Sequence, residues 1–218
     1  MSRLVVFDCD GTLVDSQHLI VAAMAAAFRA HDLPPAPPDA VRHVVGLSLA
    51  EAVAGLLPDA DLAECIAIAE TYKQAFHELR RRGELIEPLF DGAREVLHEL
   101  DRRGHLLGVA TGKSVRGVTA VLEHHGLAPL FASVQTADHH PSKPHPGMLE
   151  QVMRETGSWP EETILVGDTT YDMGMARAAR ARAVGVAWGY HPADALRHAG
   201  ADVVLDTFTE LVELVTSR

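Results

Sequence analysis

Two patterns of apolar and polar residues divide this chain. Residues 4–7 form a short apolar run, which predicts a buried strand near the start of the sequence. From 16 to 82 the apolar residues recur at helical spacing, without a good strand pattern. The capping signals in this range predict helices over 16–31, from Asp39 to Val45, after Ser48 with Glu51 completing a capping box, and from Pro58-Asp59 to about 82.

From residue 91 onward, strand and helix patterns alternate. The predicted strands cover 105–110, 131–135, 163–167, 183–188 and 202–205. The predicted helices cover 91–103, the stretch after Ser114 to about 125, 146–156, 170–182 and the C-terminal end. Such alternation favours an α/β fold with a Rossmann-like parallel sheet and helices on both faces.

The two patterns together predict two domains. Residues 1–14 and 84–218 would form the α/β core, and residues 15–83 an all-helical insert after the first strand. Ligands of open α/β sheets bind at the carboxyl ends of the strands. Residues that carry chemistry should therefore gather at that edge.

Two acidic residues follow the first strand directly, in the run Asp8-Cys9-Asp10-Gly11-Thr12. A single Asp at a strand end is ordinarily a cap or a turn residue. The pattern Asp-x-Asp-Gly-Thr after an apolar strand is much more specific. Two carboxylates crowded at one point repel each other, and a hard divalent metal with oxygen ligands, Mg²⁺, is the expected occupant.

Residues 8–16 resemble the first motif of the haloacid dehalogenase superfamily, in its phosphatase branch. The resemblance implies that Asp8 is the nucleophile that takes a phosphoryl group. It also implies that Asp10 is the acid/base and that its backbone carbonyl binds Mg²⁺. The chemistry agrees, because a carboxylate can attack phosphorus and split one hard displacement into two easier ones. A second carboxyl, held protonated by its charged neighbour, can donate to the leaving oxygen.

Thr111 and Gly112 follow the predicted strand at 105–110 and resemble the family's second motif. The Thr111 hydroxyl, the Gly112 amide and the N-terminus of the next helix can donate to phosphate oxygens. Taken alone, this pattern would also fit an ordinary helix cap. Lys113 could face either the substrate or the solvent.

Lys143 begins a Lys-Pro-x-Pro run that resembles the third motif. The prolines stiffen the loop, so a fixed Lys143 can neutralise both Asp8 and an incoming phosphate. A lone loop Lys would ordinarily be solvated. The motif resemblance therefore predicts a catalytic and phosphate-binding role for Lys143.

The run at 167–172, Gly-Asp-x-x-x-Asp, resembles the fourth motif. The resemblance implies that Asp168 binds Mg²⁺ directly, together with Asp8 and Asp10. Asp172, about one helical turn on, should support the metal through water or hold Lys143. A helix cap and a surface acid are the alternatives for this pair, but four motifs in the family's order favour the metal site.

The four motifs imply a Mg²⁺-dependent phosphatase that acts on a small phosphorylated metabolite through an aspartyl-phosphate. The layout resembles the phosphoglycolate phosphatase group, and the insert resembles the family's cap domain, which closes over the site and selects substrate. Arg42 in the insert could be the cap's anion contact or a solvated helix residue.

Two other functions remain open from the sequence. The same machinery with a similar cap serves β-phosphoglucomutase, which returns the phosphoryl group to a sugar. A receiver-type signalling domain also combines an acid pair, an acceptor Asp, a Thr and a Lys on an α/β sheet. Receivers are much shorter, have no helical insert and hold the acceptor Asp on an internal strand, so the enzyme is the better interpretation.

Composition narrows the partners and the compartment. The formal net charge of −11 argues against nucleic acid, and the basic run at 80–82 is typical of a solvated helix end. Two cysteines make no disulfide framework, and Asp8 interrupts the N-terminal apolar run, so we expect no signal peptide and a cytoplasmic location. The longest apolar stretch, 19–28, is too short to span a membrane. The sequence leaves the choice between monomer and homodimer open.

Overall fold

The computed structural model describes residues 3–83 and 87–216. Within them lies a six-stranded sheet whose neighbouring strands are all parallel. The strands are β1 (Leu4–Phe7), β2 (Leu106–Thr111), β3 (Phe131–Thr136), β4 (Thr163–Gly167), β5 (Arg182–Val186) and β6 (Val203–Leu205). Their spatial order is β3-β2-β1-β4-β5-β6, which puts β1 in the middle of the sheet. The predicted α/β fold class is confirmed.

The α-helices connect and cover these strands. They are α1 (Gln17–Ala30), α2 (Pro38–His43), α3 (Leu49–Leu56), α4 (Leu62–Arg82), α5 (Ala93–Arg102), α6 (Val115–His124), α7 (Gly147–Thr156), α8 (Thr170–Ala178), α9 (Ala193–His198) and α10 (Phe208–Thr216). Short 3₁₀ turns at Ala128–Leu130 and Pro160–Glu162 precede β3 and β4.

The sheet is buried on both faces, as the continuous apolar run of β1 predicts. Val5 and Phe7 belong to an apolar cluster that includes residues of α5, α6 and α10. Leu4 and Val6 point to the other face and pack with residues of α7, α8 and α9. Because successive strand side chains alternate between faces, the four residues of β1 anchor both layers of helices.

Helices α1–α4 pack around an apolar cluster of their own. Every residue from 17 to 82 is described, and this range contains no strand. Phe28 of α1 packs with Val53 of α3 and with Ile68 and Tyr72 of α4. The range matches the predicted helical insert. Its predicted end, Gly83, is the C-cap of α4. The predicted restart of the core at residue 84 lies outside the described residues, and the division into two domains remains a prediction.

The longest helix of this group begins later than the sequence suggested. The prediction put its start at Pro58-Asp59, whereas α4 begins at Leu62. Asp61 is the N-cap, and its carboxylate accepts a hydrogen bond from the backbone N–H of Glu64 at 2.9 Å. This bond satisfies one of the free N–H groups of the first helical turn, so the helix begins after Asp61.

Three smaller predictions also need correction. Helix α8 ends at Ala178 rather than 182, because Arg180 adopts a left-handed backbone with φ 60° that stops the helix, and β5 then begins at Arg182. Helix α9 has no counterpart in the sequence prediction, although a proline directly before it was an available signal. Ser48 precedes α3 as expected, but in the described structure its side chain makes no capping hydrogen bond.

Neither cysteine takes part in a disulfide. Cys9 and Cys65 are buried as free thiols, one in the core cluster of the sheet and the other in the cluster of α1–α4. This agrees with the expectation that the two cysteines form no disulfide framework. In the described part of the chain, no helix combines the length and the apolar character that crossing a bilayer requires.

The N-cap of α4 generates a stability prediction. We expect Asp61→Ala to lower the free energy of unfolding by about 1 kcal/mol, the usual cost of losing a capping side chain. Asp59→Ala, in the exposed turn before it, is the matched control and should change it by less than about 0.5 kcal/mol. Urea unfolding followed by circular dichroism measures both. Equal losses for the two variants would contradict the assignment of Asp61 as the cap.

Candidate active site

Three parallel strands bring the predicted site residues to one edge of the sheet. β1 pairs in register with β2 on one side and with β4 on the other. Asp8 follows β1, Thr111 ends β2 and Asp168 follows β4. All three side chains are buried. Sheet register therefore accounts for a cluster whose members are far apart in sequence.

The ammonium group of Lys143 lies within this cluster. Its Nζ is 2.9 Å from Asp8 Oδ2 and donates a hydrogen bond to Asp172 Oδ1 at 2.6 Å. The Lys143 side chain is 0% exposed. Burial opposes its charge, but Asp172 and Asp8 outweigh that effect and raise the pKa of Lys143, so the ammonium stays charged. Of the two roles expected for Asp172, this geometry matches the holding of Lys143.

Asp8 has one satisfied and one unsatisfied carboxylate oxygen. Its Oδ1 accepts a hydrogen bond from the backbone N–H of Cys9 at 2.7 Å. Its Oδ2 is in charge contact with Lys143 but accepts no well-directed hydrogen bond from the described residues. Burial raises the pKa of Asp8 to about 6, even though Lys143 pulls it down. Oδ2 is thus the Asp8 oxygen that is left to interact with further positive charge.

Asp168 is oriented through both of its oxygens. The Thr12 hydroxyl donates to Oδ1 at 2.7 Å, and the backbone N–H of Tyr190 donates to Oδ2 at 2.9 Å. Burial first, and then the charges of Asp172 and Asp8, raise the pKa of Asp168 well above its usual range. Gly11, with φ +82°, lets the chain pass close by, because a Cβ there would lie 2.3 Å from Asp168 Oδ2.

One group of acids in the described residues is placed to hold a metal ion, namely Asp8, Asp168 and Asp172. One oxygen of each lies within 4.8 Å of the others. Asp172 is already engaged by Lys143 and by the hydroxyl and N–H of Thr169. Asp8 and Asp168 are therefore the better direct donors. Their hard oxygen atoms and unbalanced negative charge fit Mg²⁺.

The side chain of Asp10 lies outside this group of acids. Its Oδ1 accepts hydrogen bonds from the Ser16 hydroxyl at 2.5 Å and from Lys113 Nζ at 2.7 Å. Lys113 also pairs with Glu87 at 2.9 Å, and its side chain is only 7% exposed. Of the two environments expected from the sequence, solvent does not apply, because Lys113 lines the cavity beside Asp8 and Asp10 and its charge is paired there. It joins Asp10 to a carboxylate on the segment that returns from α4 to the core.

Thr111 and Gly112 lie where the helical insert crosses the sheet edge. The Thr111 hydroxyl accepts a hydrogen bond from the N–H of Lys113 at 3.2 Å. At Gly112, a Cβ would lie 2.6 Å from the backbone carbonyl oxygens of both Gly46 and Leu47. Only glycine fits there without displacing that backbone, so Gly112 lets the insert approach the predicted phosphate site closely.

A cavity of about 670 Å³ extends from Asp8 and Asp10 to helices α1–α4. Arg42, the predicted anion contact, is absent from the residues that line it. Its guanidinium pairs instead with Asp39, one turn earlier on α2. The neighbouring residue Val41 does line the cavity. The role proposed for Arg42 is therefore without support from the geometry.

Several residues around the site were not identified from the sequence. Thr12 belongs to the first motif, but the motif alone predicts no separate role for it. Its closeness in sequence to Asp8 and Asp10 was the available signal that it lies at the site. Glu87 carries no local pattern that predicts a role. Tyr190 lies just after the predicted strand at 183–188, and that position was the available signal. Ser16 was expected to start a helix, and it does precede α1, but its hydroxyl binds Asp10.

Comparison with known proteins identifies the family. The haloacid dehalogenase-like hydrolase model matches residues 5–186. The chain is 39% identical to "Probable phosphatase IndB" of Dickeya dadantii, over 97% of this chain and 93% of that protein. It is 30% identical to a phosphoglycolate phosphatase of Pseudomonas putida, over 97% of this chain and 79% of that protein. A solved hydrolase from Pseudomonas syringae gives a TM-score of 0.87 at 25% identity, covering 99% of this chain and 98% of that one. The chain therefore belongs to the haloacid dehalogenase-like hydrolase family.

Proposed function

We propose that this protein is a Mg²⁺-dependent phosphatase that hydrolyses a small phosphomonoester through a phosphoryl-aspartate on Asp8. The observation that carries the proposal is the buried Asp8 carboxylate, which lines the cavity and faces Lys143 at 2.9 Å. The names of the two relatives, a probable phosphatase and a phosphoglycolate phosphatase, support the same reaction class. Phosphoglycolate itself as the substrate remains a prediction from resemblance.

In the first step, a carboxylate oxygen of Asp8 attacks phosphorus. The new bond joins this oxygen to phosphorus, and the bond from phosphorus to the alcohol oxygen breaks. Lys143, the Thr111 hydroxyl and the Gly112 N–H are the groups that would hold the phosphoryl oxygens. Asp10, which lines the same cavity, donates a proton to the leaving oxygen.

In the second step, water attacks the phosphoryl-aspartate. Asp10 now accepts a proton from the water, phosphate leaves, and the Asp8 carboxylate is regenerated. The same side chain thus serves as acid and then as base. Its hydrogen bonds from Ser16 and Lys113 keep it at the mouth of the site during both steps.

The metal would be held by the carboxylates of Asp8 and Asp168 and by the Asp10 carbonyl, with Asp172 supporting Lys143. When bound, Mg²⁺ supplies positive charge that offsets the negative charge of the acids and of the phosphoryl group. The hydrogen bonds from Thr12 and Tyr190 fix the direction in which Asp168 presents its oxygens.

Residues 15–83 would act as the cap domain over the core formed by 1–14 and 84–218. Helices α1–α4 form the far walls of the cavity, so they can exclude water from the reacting groups and select the substrate. A cytoplasmic location and a monomeric or homodimeric state remain predictions from the sequence.

The metal site generates the first functional prediction. Phosphatase activity should disappear with a chelator and return with added Mg²⁺. Asp168→Asn should weaken Mg²⁺ binding, measured by calorimetry, by more than the roughly 10- to 100-fold usual for partners outside the direct ligand set. Thr111→Ala is the matched control and should bind the metal nearly as well as the unaltered protein. Full turnover by a verified metal-free preparation would rule out the metal dependence.

The roles proposed for Asp8 as nucleophile and Asp10 as acid/base generate the second functional prediction. Asp8→Asn should abolish turnover of every ester. Asp10→Asn should slow phosphorylation of Asp8 by an alkyl phosphate by ~10²–10⁴-fold, because a basic alkoxide needs a proton to leave. Nitrophenyl phosphate should be affected much less in this step, so rapid quench should reveal a burst of nitrophenol and an accumulating phosphoenzyme. Equal slowing for both esters would show that Asp10 is not the general acid.

The choice between a hydrolase and a mutase generates the third functional prediction. A hydrolase transfers the phosphoryl group to water and needs no bisphosphate activator. We therefore expect release of inorganic phosphate to match consumption of the ester. With a sugar phosphate as the substrate, a phosphate assay measures hydrolysis and NMR measures isomerisation, so together they distinguish a hydrolase from a mutase. Isomerisation that is far faster than phosphate release would make the mutase the correct function.

A further inference from the structure

The cavity beyond the reacting groups is large and mainly apolar. Cavities of about 300–1,000 Å³ accommodate drug-sized ligands, and this one measures about 670 Å³. A two-carbon phospho acid would leave most of that space unfilled. Helices α1–α4 and their connections contribute most of the apolar lining, and α4 contributes polar side chains as well. The apolar lining residues include Met24, Val41, Val45, Leu49, Tyr72 and Phe76.

The helical insert is seated against the core on both sides of this cavity. On one side, the Ser48 N–H donates to the Ser142 hydroxyl at 2.8 Å. On the other, Arg116 of α6 and His77 of α4 are hydrogen-bonded at 2.7 Å, and Lys113 Nζ lies 4.8 Å from the centre of the Phe76 ring. The cavity is therefore present while the insert is in contact with the core. It does not result from an insert that lies apart from the core.

The positive charges around the cavity are largely neutralised by the protein itself. Four of the lysines and arginines that line the cavity pair with carboxylates of the described residues. The pairs are Lys73 with Glu70, Arg80 with Glu87, Arg81 with Glu78, and Lys113 with both Asp10 and Glu87. Arg116 is bonded to His77 and is exposed. A carboxylate on a small substrate would lie near Asp10, whose partner Lys113 is already shared with Glu87.

We propose that the substrate is the phosphomonoester of a bulky, uncharged and mainly apolar alcohol, of the size of a fused ring system. This inference rests on the phosphatase function proposed above, and it departs from the resemblance-based prediction that phosphoglycolate is the substrate. The phosphoryl group would lie at Asp8 and Lys143, and the alcohol would fill the apolar part of the cavity. Removal of apolar surface from water would favour such a substrate over a small polar one. The side chains of α1–α4 would then act as specificity determinants.

The test compares three primary alkyl esters, whose leaving oxygens have similar basicity: ethyl phosphate, phosphoglycolate and naphthylethyl phosphate. Release of inorganic phosphate in the presence of Mg²⁺ gives kcat/KM for each, with nitrophenyl phosphate as a general activity check. We expect naphthylethyl phosphate to exceed ethyl phosphate by about 100-fold or more, because one methylene in an apolar pocket can already change kcat/KM by about 10- to 200-fold. Phosphoglycolate should be the poorest of the three.

A pair of substitutions on α6 tests whether the cavity causes this preference. Ala120 lines the cavity and is partly buried, whereas Thr119 beside it is exposed and outside the lining. Ala120→Trp should fill the space and reduce the preference for naphthylethyl phosphate to less than about 10-fold, with ethyl phosphate little affected. Thr119→Trp should leave the preference unchanged. If Ala120→Trp does not fold, Val45→Phe makes the same test from the insert side.

The outcomes separate the two proposals. Equal kcat/KM for ethyl and naphthylethyl phosphate, or a preference for phosphoglycolate, would overturn the inference about the alcohol and leave the phosphatase function intact. An unchanged preference in the folded cavity-filling variant would also overturn it. No phosphate release from any ester, nitrophenyl phosphate included, would overturn the phosphatase function and this inference with it.

Discussion

The buried ammonium of Lys143 is the constraint on which the site depends. It lies between Asp8 and Asp172, and Asp168 adds a third buried carboxylate nearby. Removing carboxylates from water is costly unless opposite charge and hydrogen bonds replace the lost hydration. One ammonium cannot balance three acids. Burial first, and then the neighbouring carboxylates, raise the pKa values of Asp8 and Asp168. The arrangement therefore favours further positive charge, which a divalent cation would supply.

The parallel sheet makes this concentration of charge possible. The carboxyl ends of its strands lie at one edge, and apolar clusters pack against both faces of the sheet. The first turn of α8 also helps to position the charged groups of the site. Thr169 and Asp172 form a reciprocal capping box, so the carboxylate that begins the helix also holds Lys143. One carboxylate thus serves both purposes, since its Oδ2 takes part in the helix cap and its Oδ1 binds the site ammonium.

The helical insert is connected to the chemistry as well as to the cavity. Asp10, Lys113, Glu87 and Arg80 form a continuous set of ion pairs that leads from the sheet edge to the last turn of α4. Gly112 allows the α2–α3 connection to cross directly beside Thr111. Any shift of α4 against the core would therefore change the surroundings of Asp10. The proposed selection of substrate by the apolar lining and the proposed orientation of Asp10 as acid/base would therefore both involve the helical insert.

The sequence by itself determined the strands, all helices except α9, and the principal site residues. Apolar periodicity predicted all six strands, and short motifs at strand ends identified Asp8, Thr111 and Asp168, because such motifs are local and strand ends converge in a parallel sheet. Only the tertiary structure decided the surroundings of Asp10. Lys113 and Glu87 meet there because α4 is seated on the core, and no periodicity or motif encodes a contact between residues on separate elements. The same reason explains why the size and apolar walls of the cavity could not be foreseen: they depend on how two packed units face each other.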